Sequence, residues 1–312
     1  MALLPSAFTE LVGCRLPLQL APMGGGVGSP ELAAAVAAAG GLGMVSSSHP
    51  MPLSDQLHVV RAQTTGPVGA GFFAFDLPAR LAELERAAAS VPVIDMFWGD
   101  PDRATVDRIH AGGAVAFWQV GSSEEAHAAV DAGCDVVVVQ GAEAGGHVRG
   151  TSTLLELLDD VVPRLPVPVV AAGGIATAAQ VERVLAAGAS AVRVGTRLLA
   201  TSESAAHPAY LAALVAAGSD ATELTTVFDV GWKDAPHRVL RAAITAAADA
   251  EDPPARVTIG ARTHDVARHS AQPPSASCSG QVTAMAMYAG TGVEHITDIP
   301  SAAEVIARLF PT

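Results

Sequence analysis

The chain has 312 residues, of which 50% are hydrophobic and 16% charged, so it can bury the core of one large α/β domain or of two ordinary ones. Its formal net charge of −13 argues against nucleic acid as a partner, because phosphate backbones are bound by clustered lysines and arginines. Cys14, Cys134 and Cys278 lie far apart and match no metal-ligand spacing, so we predict free thiols, no metal and a cytoplasmic location. Residues 32–54 carry no charged side chain, but their glycines, serines and prolines predict a buried helix, turn and strand rather than a membrane span.

Eight short apolar runs follow one another along the first two thirds of the chain, and each has the length of a buried strand. They span residues 18–21, 42–46, 68–72, 91–94, 114–120, 136–139, 167–171 and 191–194. Their starts lie about 20 to 30 residues apart, the spacing that strand–helix units require. Eight such units predict a (β/α)8 TIM barrel, with a doubly wound parallel sheet as the alternative.

The segments between these runs carry helix signals. Ser29 before Pro30 predicts one helix start, and Ser122, which precedes two glutamates in the first turn, predicts another. Glycines end the helices just before the next strand, at Gly40, Gly112, Gly133 and Gly188.

The pattern changes in the last third of the chain. We predict three parts: a barrel core in residues 1–206, an inserted covering segment in 207–280, and C-terminal helices in 281–312 that complete the barrel domain. Within the last two parts, helices are predicted at residues 207–218, 235–249, 280–289 and 302–309. Residues 251–280 are rich in proline and serine with little periodicity, so we expect them to cover the barrel mouth.

One loop has the composition of a catalytic loop. Four valines at 136–139 predict a strand buried on both faces, and Gln140 ends it. A glycine-rich turn follows, and His147 stands at its end. Barrel enzymes present their catalytic groups on loops at the strand C-termini, and a near-neutral imidazole can accept or donate a proton. We therefore predict His147 as the catalytic residue.

Glycine turns at the ends of the last two barrel strands predict a phosphate site. Gly173 and Gly174 follow the seventh strand, and Gly195 with Thr196 follows the eighth. In this fold the loops after these two strands commonly bind phosphate through bare backbone N–H groups, which a Cβ would obstruct.

These segments resemble one known family. The motif AGGH at 144–147 after VVVVQG, together with APMGGG at 21–26, VVAAGGI at 169–175 and VGTRLLAT at 194–201, is similar to the nitronate monooxygenases, formerly called 2-nitropropane dioxygenases. The resemblance continues to Met287–Gly290 and to Asp298–Pro300 near the end. It implies a TIM barrel that holds FMN noncovalently and oxidises alkyl nitronates with molecular oxygen.

The resemblance also implies residue roles. His147 would deprotonate a neutral nitroalkane or steady the bound nitronate. The implied cofactor-binding residues lie at the strand ends: Pro22, Met23, Gly24, Gly71, Gln140, Gly145, Gly146, Gly173, Gly174, Arg193, Val194, Gly195 and Thr196. Of these, Gly174 and residues 193–196 would hold the phosphate. The pattern departs from the family at Gly71, where an asparagine is usual, and at Thr291, where a Gly–Gln pairing is more usual.

Two further functions stay open at this point. One is an FMN-dependent enoyl-acyl-carrier-protein reductase that uses NAD(P)H, because it shares the glycine turns. The other is a flavin-binding protein without catalysis. The expected partners are O2 and a small-molecule substrate, either a nitronate or another small carbon acid, with neither nucleic acid nor membrane. A homo-oligomer is also left open.

Overall fold

Eight parallel strands form the centre of the structure, a computed structural model that describes residues 6–311. They are β1 (Leu18–Leu20), β2 (Gly43–Ser46), β3 (Val68–Phe73), β4 (Val93–Phe97), β5 (Val115–Val120), β6 (Val136–Gln140), β8 (Val169–Ala172) and β9 (Ala191–Val194), while the two-residue β7 (Gly146–His147) belongs to another sheet. Their order around the sheet is β1-β9-β8-β6-β5-β4-β3-β2. Leu42 joins the two edges, since its N–H donates to Leu18 O at 2.8 Å and its carbonyl accepts from Leu20 N at 2.9 Å. The predicted (β/α)8 barrel is confirmed, and every predicted run overlaps one of its strands.

Helices connect the strands and begin where their capping residues lie. Their bounds are α1 (Ala7–Val12), α2 (Pro30–Ala38), α3 (Leu53–Arg61), α4 (Leu77–Ala88), α5 (Arg103–Ala111), α6 (Ser123–Ala132), α7 (Leu154–Val161), α8 (Ala178–Ala186), α9 (Thr196–Leu199), α10 (Pro208–Val215), α11 (Arg241–Asp249) and α12 (Ala302–Leu309). As predicted, Ser29 caps α2 by accepting from Leu32 N at 3.0 Å, and Ser122 caps α6 by accepting from Glu125 N at 3.2 Å. Such caps stabilise a helix by about 1 kcal/mol each.

The barrel core is mostly aliphatic, with one polar layer. The four valines at 136–139 are fully buried, and each contributes about 1.5–3 kcal/mol by leaving water. At one level of the barrel interior, however, the side chains are polar and buried, where branched aliphatics are usual: Gln19, Asp95, Gln119 and Arg193. Asp95 and Arg193 come from β4 and β9, which lie on opposite sides of the barrel.

Two small antiparallel sheets follow the barrel in the chain. The first pairs β10 (Thr222–Thr225) with β11 (His237–Leu240), and β11 in turn pairs with β7, so that His237 lies opposite His147. The second sheet contains β12 (Ala255–Ile259), β13 (Arg262–Val266) and β14 (Cys278–Gly280). The loop that carries His147 is therefore fixed by backbone pairing with a strand about 90 residues away.

Two predicted helices are wrong in whole or in part. Residues 235–249 contain the strand His237–Leu240 before the helix Arg241–Asp249, and residues 280–289 contain only a short 3-10 helix, Val282–Ala284. The reason is long-range pairing. Met287 O accepts from Leu240 N at 2.8 Å, and Ala289 N donates to Arg238 O at 3.2 Å, so both segments run extended beside each other. The predicted helices at 207–218 and 302–309 are confirmed as α10 and α12.

The C-terminal region has a hydrophobic core of its own. Residues from α10, α11 and the 284–296 segment pack together with Phe228, with Val239 of β11 and with Leu199 at the end of the barrel. The division of the chain at residues 206 and 280 stays a prediction. No helix within residues 6–311 combines the length and the apolar character needed to cross a bilayer.

Candidate active site

A cavity of about 470 Å³ opens at the carboxyl ends of the barrel strands. This volume is in the usual range for sites that bind cofactors or drug-sized molecules. The cavity brings together His147 and these predicted cofactor-binding residues: Pro22, Met23, Gly24, Gly71, Gln140, Gly145, Gly146, Gly173, Gly174, Arg193, Gly195 and Thr196. Val194 does not line it, because its side chain is 1% exposed within the barrel core.

The turns after β8 and β9 present uncommitted donors to this cavity. Within the part of the chain that the structure describes, the N–H groups of Gly174, Ile175 and Thr196 donate to no other group. Gly174 has φ +68°, and a Cβ there would come within 3.0 Å of Thr291 Oγ1. A Cβ at Gly195 would meet only Ala21, at 3.4 Å. These turns therefore form a cradle of backbone donors with the chemistry that binds phosphate.

The charged side chains around the cavity are already paired with one another or with neighbouring residues. Asp95 is the sole carboxylate among the lining residues within 6–311, and it is paired with Arg193. Arg197 also lines the cavity, but its Nη1 is paired with Asp298 Oδ1 at 3.4 Å and its Nη2 donates to Asp298 O at 3.0 Å; within residues 6–311 only its buried Nε has no partner. Both lining arginines are thus already paired with carboxylates, so the backbone N–H groups are the main donors available to an anion.

The predicted phosphate role of Arg193 does not match where its side chain lies. Its Nε donates to Gln19 Oε1 at 3.1 Å, and its two Nη groups donate to Gln119 and Asp95. Burial lowers the pKa of Arg193 and raises that of Asp95, and in each residue the partner's charge opposes the shift. The guanidinium is thus committed to the polar layer of the barrel interior, which leaves it no free donor directed to a phosphate.

Glycine at two positions keeps the wall after β1 close to the neighbouring strands. A Cβ on Gly71 would lie 2.5 Å from Pro22 Cβ, and one on Gly24 would lie 2.0 Å from Ser48 Oγ. Backbone and small side chains, among them Ser46 and Ser48, therefore form a narrow wall at this place, which suits a flat ring. The packing of Pro22 also explains why position 71 holds glycine in this chain.

Gln140 supports the catalytic loop. Its Nε2 donates to His147 O at 2.9 Å, and its Oε1 accepts from Arg149 N at 3.3 Å. The side chain lines the cavity but is already committed to the backbone on either side of Val148. Its most direct effect is therefore to fix the position of His147.

His147 is buried and neutral. It is 9% exposed, and its Nε2 is buried without a hydrogen-bond partner in the described part of the chain. Burial lowers the pKa of His147 to about 3, and the nearby His237 ring adds to the effect. The imidazole stacks on Trp232 with ring centroids 3.8 Å apart, and Trp98 meets it edge-on at 5.7 Å.

The sequence interpretation missed the aromatic residues around His147. Trp232, Phe73 and Phe97 line the cavity, although no motif marked them. Composition was the one sequence signal that could have identified Trp232. Only 4% of the residues are aromatic, so a tryptophan that follows a glycine in a loop is unusual. Tyr288 also lines the cavity, but its hydroxyl donates to Ala271 O at 2.8 Å, and burial raises its pKa, so it is a structural group.

A model of a known protein family matches the chain over residues 5–78 and 79–312, and its description is "Nitronate monooxygenase". A relative from Rhodococcus jostii, the (3aS,4S,5R,7aS)-5-hydroxy-7a-methyl-1-oxo-octahydro-1H-indene-4-carboxyl-CoA dehydrogenase, is 34% identical over 77% of this chain and 67% of that protein. The chain therefore spans about two thirds of the length of that relative.

Solved structures show the same architecture. FabK from Thermotoga maritima is 25% identical and matches with a TM-score of 0.78 over 98% of this chain and 95% of that chain. A nitroalkane oxidase from Streptomyces ansochromogenes is 29% identical and matches with a TM-score of 0.74 over 97% and 96% of the two chains.

Proposed function

This chain belongs to the nitronate monooxygenase family and is a flavin oxidoreductase, and from that premise we propose that it binds FMN and oxidises alkyl nitronates with molecular oxygen. One observation carries the proposal. The buried imidazole of His147, whose Nε2 has no partner among residues 6–311, lines the same cavity as the cradle of backbone N–H groups. The cavity thus offers a hydrogen-bonding group for an anionic substrate and a separate binding place for a phosphate.

The residues present fit FMN by their chemistry. The N–H groups of Gly174, Ile175 and Thr196 would hold the phosphate, and the wall formed by residues 22–24 with Gly71 would contact the ring system. When bound, FMN supplies the electron transfer and the reaction with O2, while the protein positions the substrate. FMN rather than another flavin is part of this proposal.

The state of His147 favours one of its two predicted roles. A base works best when its pKa lies near the working pH, and burial lowers the pKa of His147 to about 3. A neutral imidazole of this kind is a poor base toward a neutral nitroalkane. It is well suited to hydrogen-bond a nitronate that arrives already ionised, and the anion would raise the pKa of the ring beside it. We therefore propose that His147 binds and orients the nitronate.

A second candidate is a flavin-dependent dehydrogenase or reductase that exchanges hydride with a nicotinamide and acts on an acyl thioester. The similarity to the Rhodococcus jostii dehydrogenase, a protein named for a carboxyl-CoA compound, favours it. The enoyl-acyl-carrier-protein reductase, the alternative that the sequence left open, would also exchange hydride with a nicotinamide and act on an acyl thioester.

An anaerobic titration separates these candidates. The purified holoenzyme is mixed without oxygen with ethylnitronate, with neutral nitroethane or with NADH, and the visible flavin absorbance is followed. We expect bleaching by the nitronate alone and recovery of the absorbance when oxygen is admitted. Bleaching by NADH but not by the nitronate would overturn the proposal in favour of the reductase. The cofactor released from the protein is identified by mass spectrometry. A flavin other than FMN would contradict the proposal that FMN is the cofactor.

A further inference from the structure

Five aromatic rings form a continuous cluster, and three of them, Phe73, Phe97 and Trp232, line the cavity. We call it the mouth cluster: Phe73, Phe75, Phe97, Trp98 and Trp232. Trp232 lies at its centre, with ring centroids 4.7 Å from Phe73, 4.9 Å from Phe75 and 5.2 Å from Trp98. Three separate chain segments thus place apolar rings at one point beside His147.

The mouth cluster is not explained by the barrel core. The whole chain has eight phenylalanines, three tryptophans and two tyrosines, so rings are scarce. None of the five cluster residues is fully buried, and Phe75 is 54% exposed. Trp98 also adopts φ +58°, a left-handed conformation that bulky residues rarely take and that is concentrated at functional sites. Exposed, contiguous apolar surface of this kind marks a place where a ligand binds.

Trp232 covers one face of the His147 ring in the cavity. Its indole is stacked on the imidazole at 3.8 Å with 23° between the planes. It lies in a loop between Gly231, at φ +95°, and the exposed Lys233. A substrate ring that packs on this face of the imidazole must displace the indole or stack in its place. A flat or saturated ring restores the lost contacts, whereas a two-carbon chain does not.

We propose that the mouth cluster binds a ring of the substrate, aryl or alicyclic, and that Trp232 selects for it. The inference rests on the function proposed above and specifies its substrate class: ring-bearing nitronates are preferred over short-chain ones. Trp232 exchanges its stacking on His147 for stacking on the bound ring.

The charged side chains near the mouth cluster restrict the expected class of substrate further. Lys233 lies 4.0 Å from Asp234, and both side chains are exposed. Arg149 is held by Asp100 at 2.6 Å and by Glu125 at 2.5 Å. Arg149 is held by two carboxylates, and Lys233 alone offers one exposed positive charge, so these residues are poorly suited to bind the several phosphates of a coenzyme A thioester. The expected substrate carries a single negative charge at the reacting carbon acid and an apolar ring.

Binding of redox-inert analogues to the holoenzyme tests the inference independently of turnover. Phenylacetate and cyclohexanecarboxylate carry the ring and one carboxylate, and propionate is the ringless control. Dissociation constants come from perturbation of the flavin spectrum and from quenching of tryptophan fluorescence. We expect the two ring compounds to bind at least about tenfold more tightly than propionate. Trp232→Ala and Phe75→Ala should reduce this preference several-fold, while Leu11→Ala, an exposed apolar residue on α1, should leave it unchanged.

The outcomes separate this inference from the proposed function. Equal affinities for ring and ringless carboxylates in the wild-type protein would overturn the ring preference, even if nitronates bleach the flavin. The protein could also prefer ring carboxylates while neither phenylnitromethane nitronate nor ethylnitronate bleaches the flavin. That result would support a ring-bearing substrate and refute nitronate oxidation. An unchanged preference in both Trp232→Ala and Phe75→Ala would overturn the assignment to the mouth cluster. Phe75 is more than half exposed, so its substitution tests the cluster even if a Trp232 variant folds poorly.

Discussion

The carboxylate of Asp95 and the guanidinium of Arg193 meet inside the barrel, from strands on opposite sides, with side chains 1% and 3% exposed. Removing one member of a buried ion pair leaves the other charge without compensation, which costs about 3–5 kcal/mol. We expect Arg193→Gln to lower the free energy of unfolding by this amount, as measured by urea denaturation of the apoprotein.

The double variant Asp95→Asn with Arg193→Gln is the matched control for this pair. Because it removes both charges, it should be more stable than Arg193→Gln alone. A double variant less stable than the single one would show that the two charges do not act as a pair.

His147 should be needed for turnover and not for cofactor binding. We expect His147→Ala to retain FMN, since the groups proposed to hold the phosphate lie on other loops. The variant should lower kcat/KM for ethylnitronate by about 10–10²-fold, which corresponds to the loss of one hydrogen bond to a charged group. Stopped-flow reduction of the flavin without oxygen provides the measurement, and the flavin content of the purified variant provides the control. Wild-type rates of flavin reduction in the variant would remove His147 from the reaction.

Burial of neutral His147 should make the fold sensitive to acid. Its pKa in the folded protein is lowered to about 3, against about 6.5 in an unfolded chain. The unfolded state therefore takes up a proton first as the pH falls. The stability that this group contributes is complete above pH 6.5 and decreases by about 1.4 kcal/mol per pH unit down to pH 3.

A variant without this imidazole should lose part of that sensitivity. We expect His147→Phe to flatten the dependence of the unfolding free energy on pH between 3 and 6.5, although His237 and His49, whose pKa values burial also lowers, keep some of it. His264→Gln, in an exposed position on β13, serves as the control. Identical slopes for His147→Phe and the wild type would contradict the burial of a neutral His147.

The turn at Gly174 should be required for binding the cofactor phosphate. Gly174→Ala places a Cβ 3.0 Å from Thr291 Oγ1 and puts alanine at φ +68°, which costs about 1–2 kcal/mol in stability. Gly113 has φ +90° and open space around it, so Gly113→Ala carries similar backbone strain outside the cavity. We expect both variants to be destabilised and only Gly174→Ala to bind FMN more weakly, by about tenfold or more, in fluorescence titrations of the apoprotein. Equal FMN affinities would refute the phosphate cradle.

Local patterns in the chain were enough to predict the barrel and most of the cavity lining. The eight apolar runs have the length of strands and recur at the spacing of strand–helix units, and all eight pair in parallel. In a barrel, the carboxyl ends of the strands meet at one rim. Residues just after the strands, such as Pro22, Gly174 and His147, therefore converge on one cavity although they are far apart in the sequence.

Only the tertiary structure decided which of these residues are free to act. Arg193 was predicted at the phosphate, but the interior of the barrel pairs it with Asp95, because a charge inside the barrel requires a partner. The extended course of residues 286–289 depends on pairing with β11, a long-range contact that overrides local helix propensity. The stacking of Trp232 on His147, and the lowered pKa that follows from burial, arise where segments about 85 residues apart come together, and sequence periodicity carries no information about such contacts.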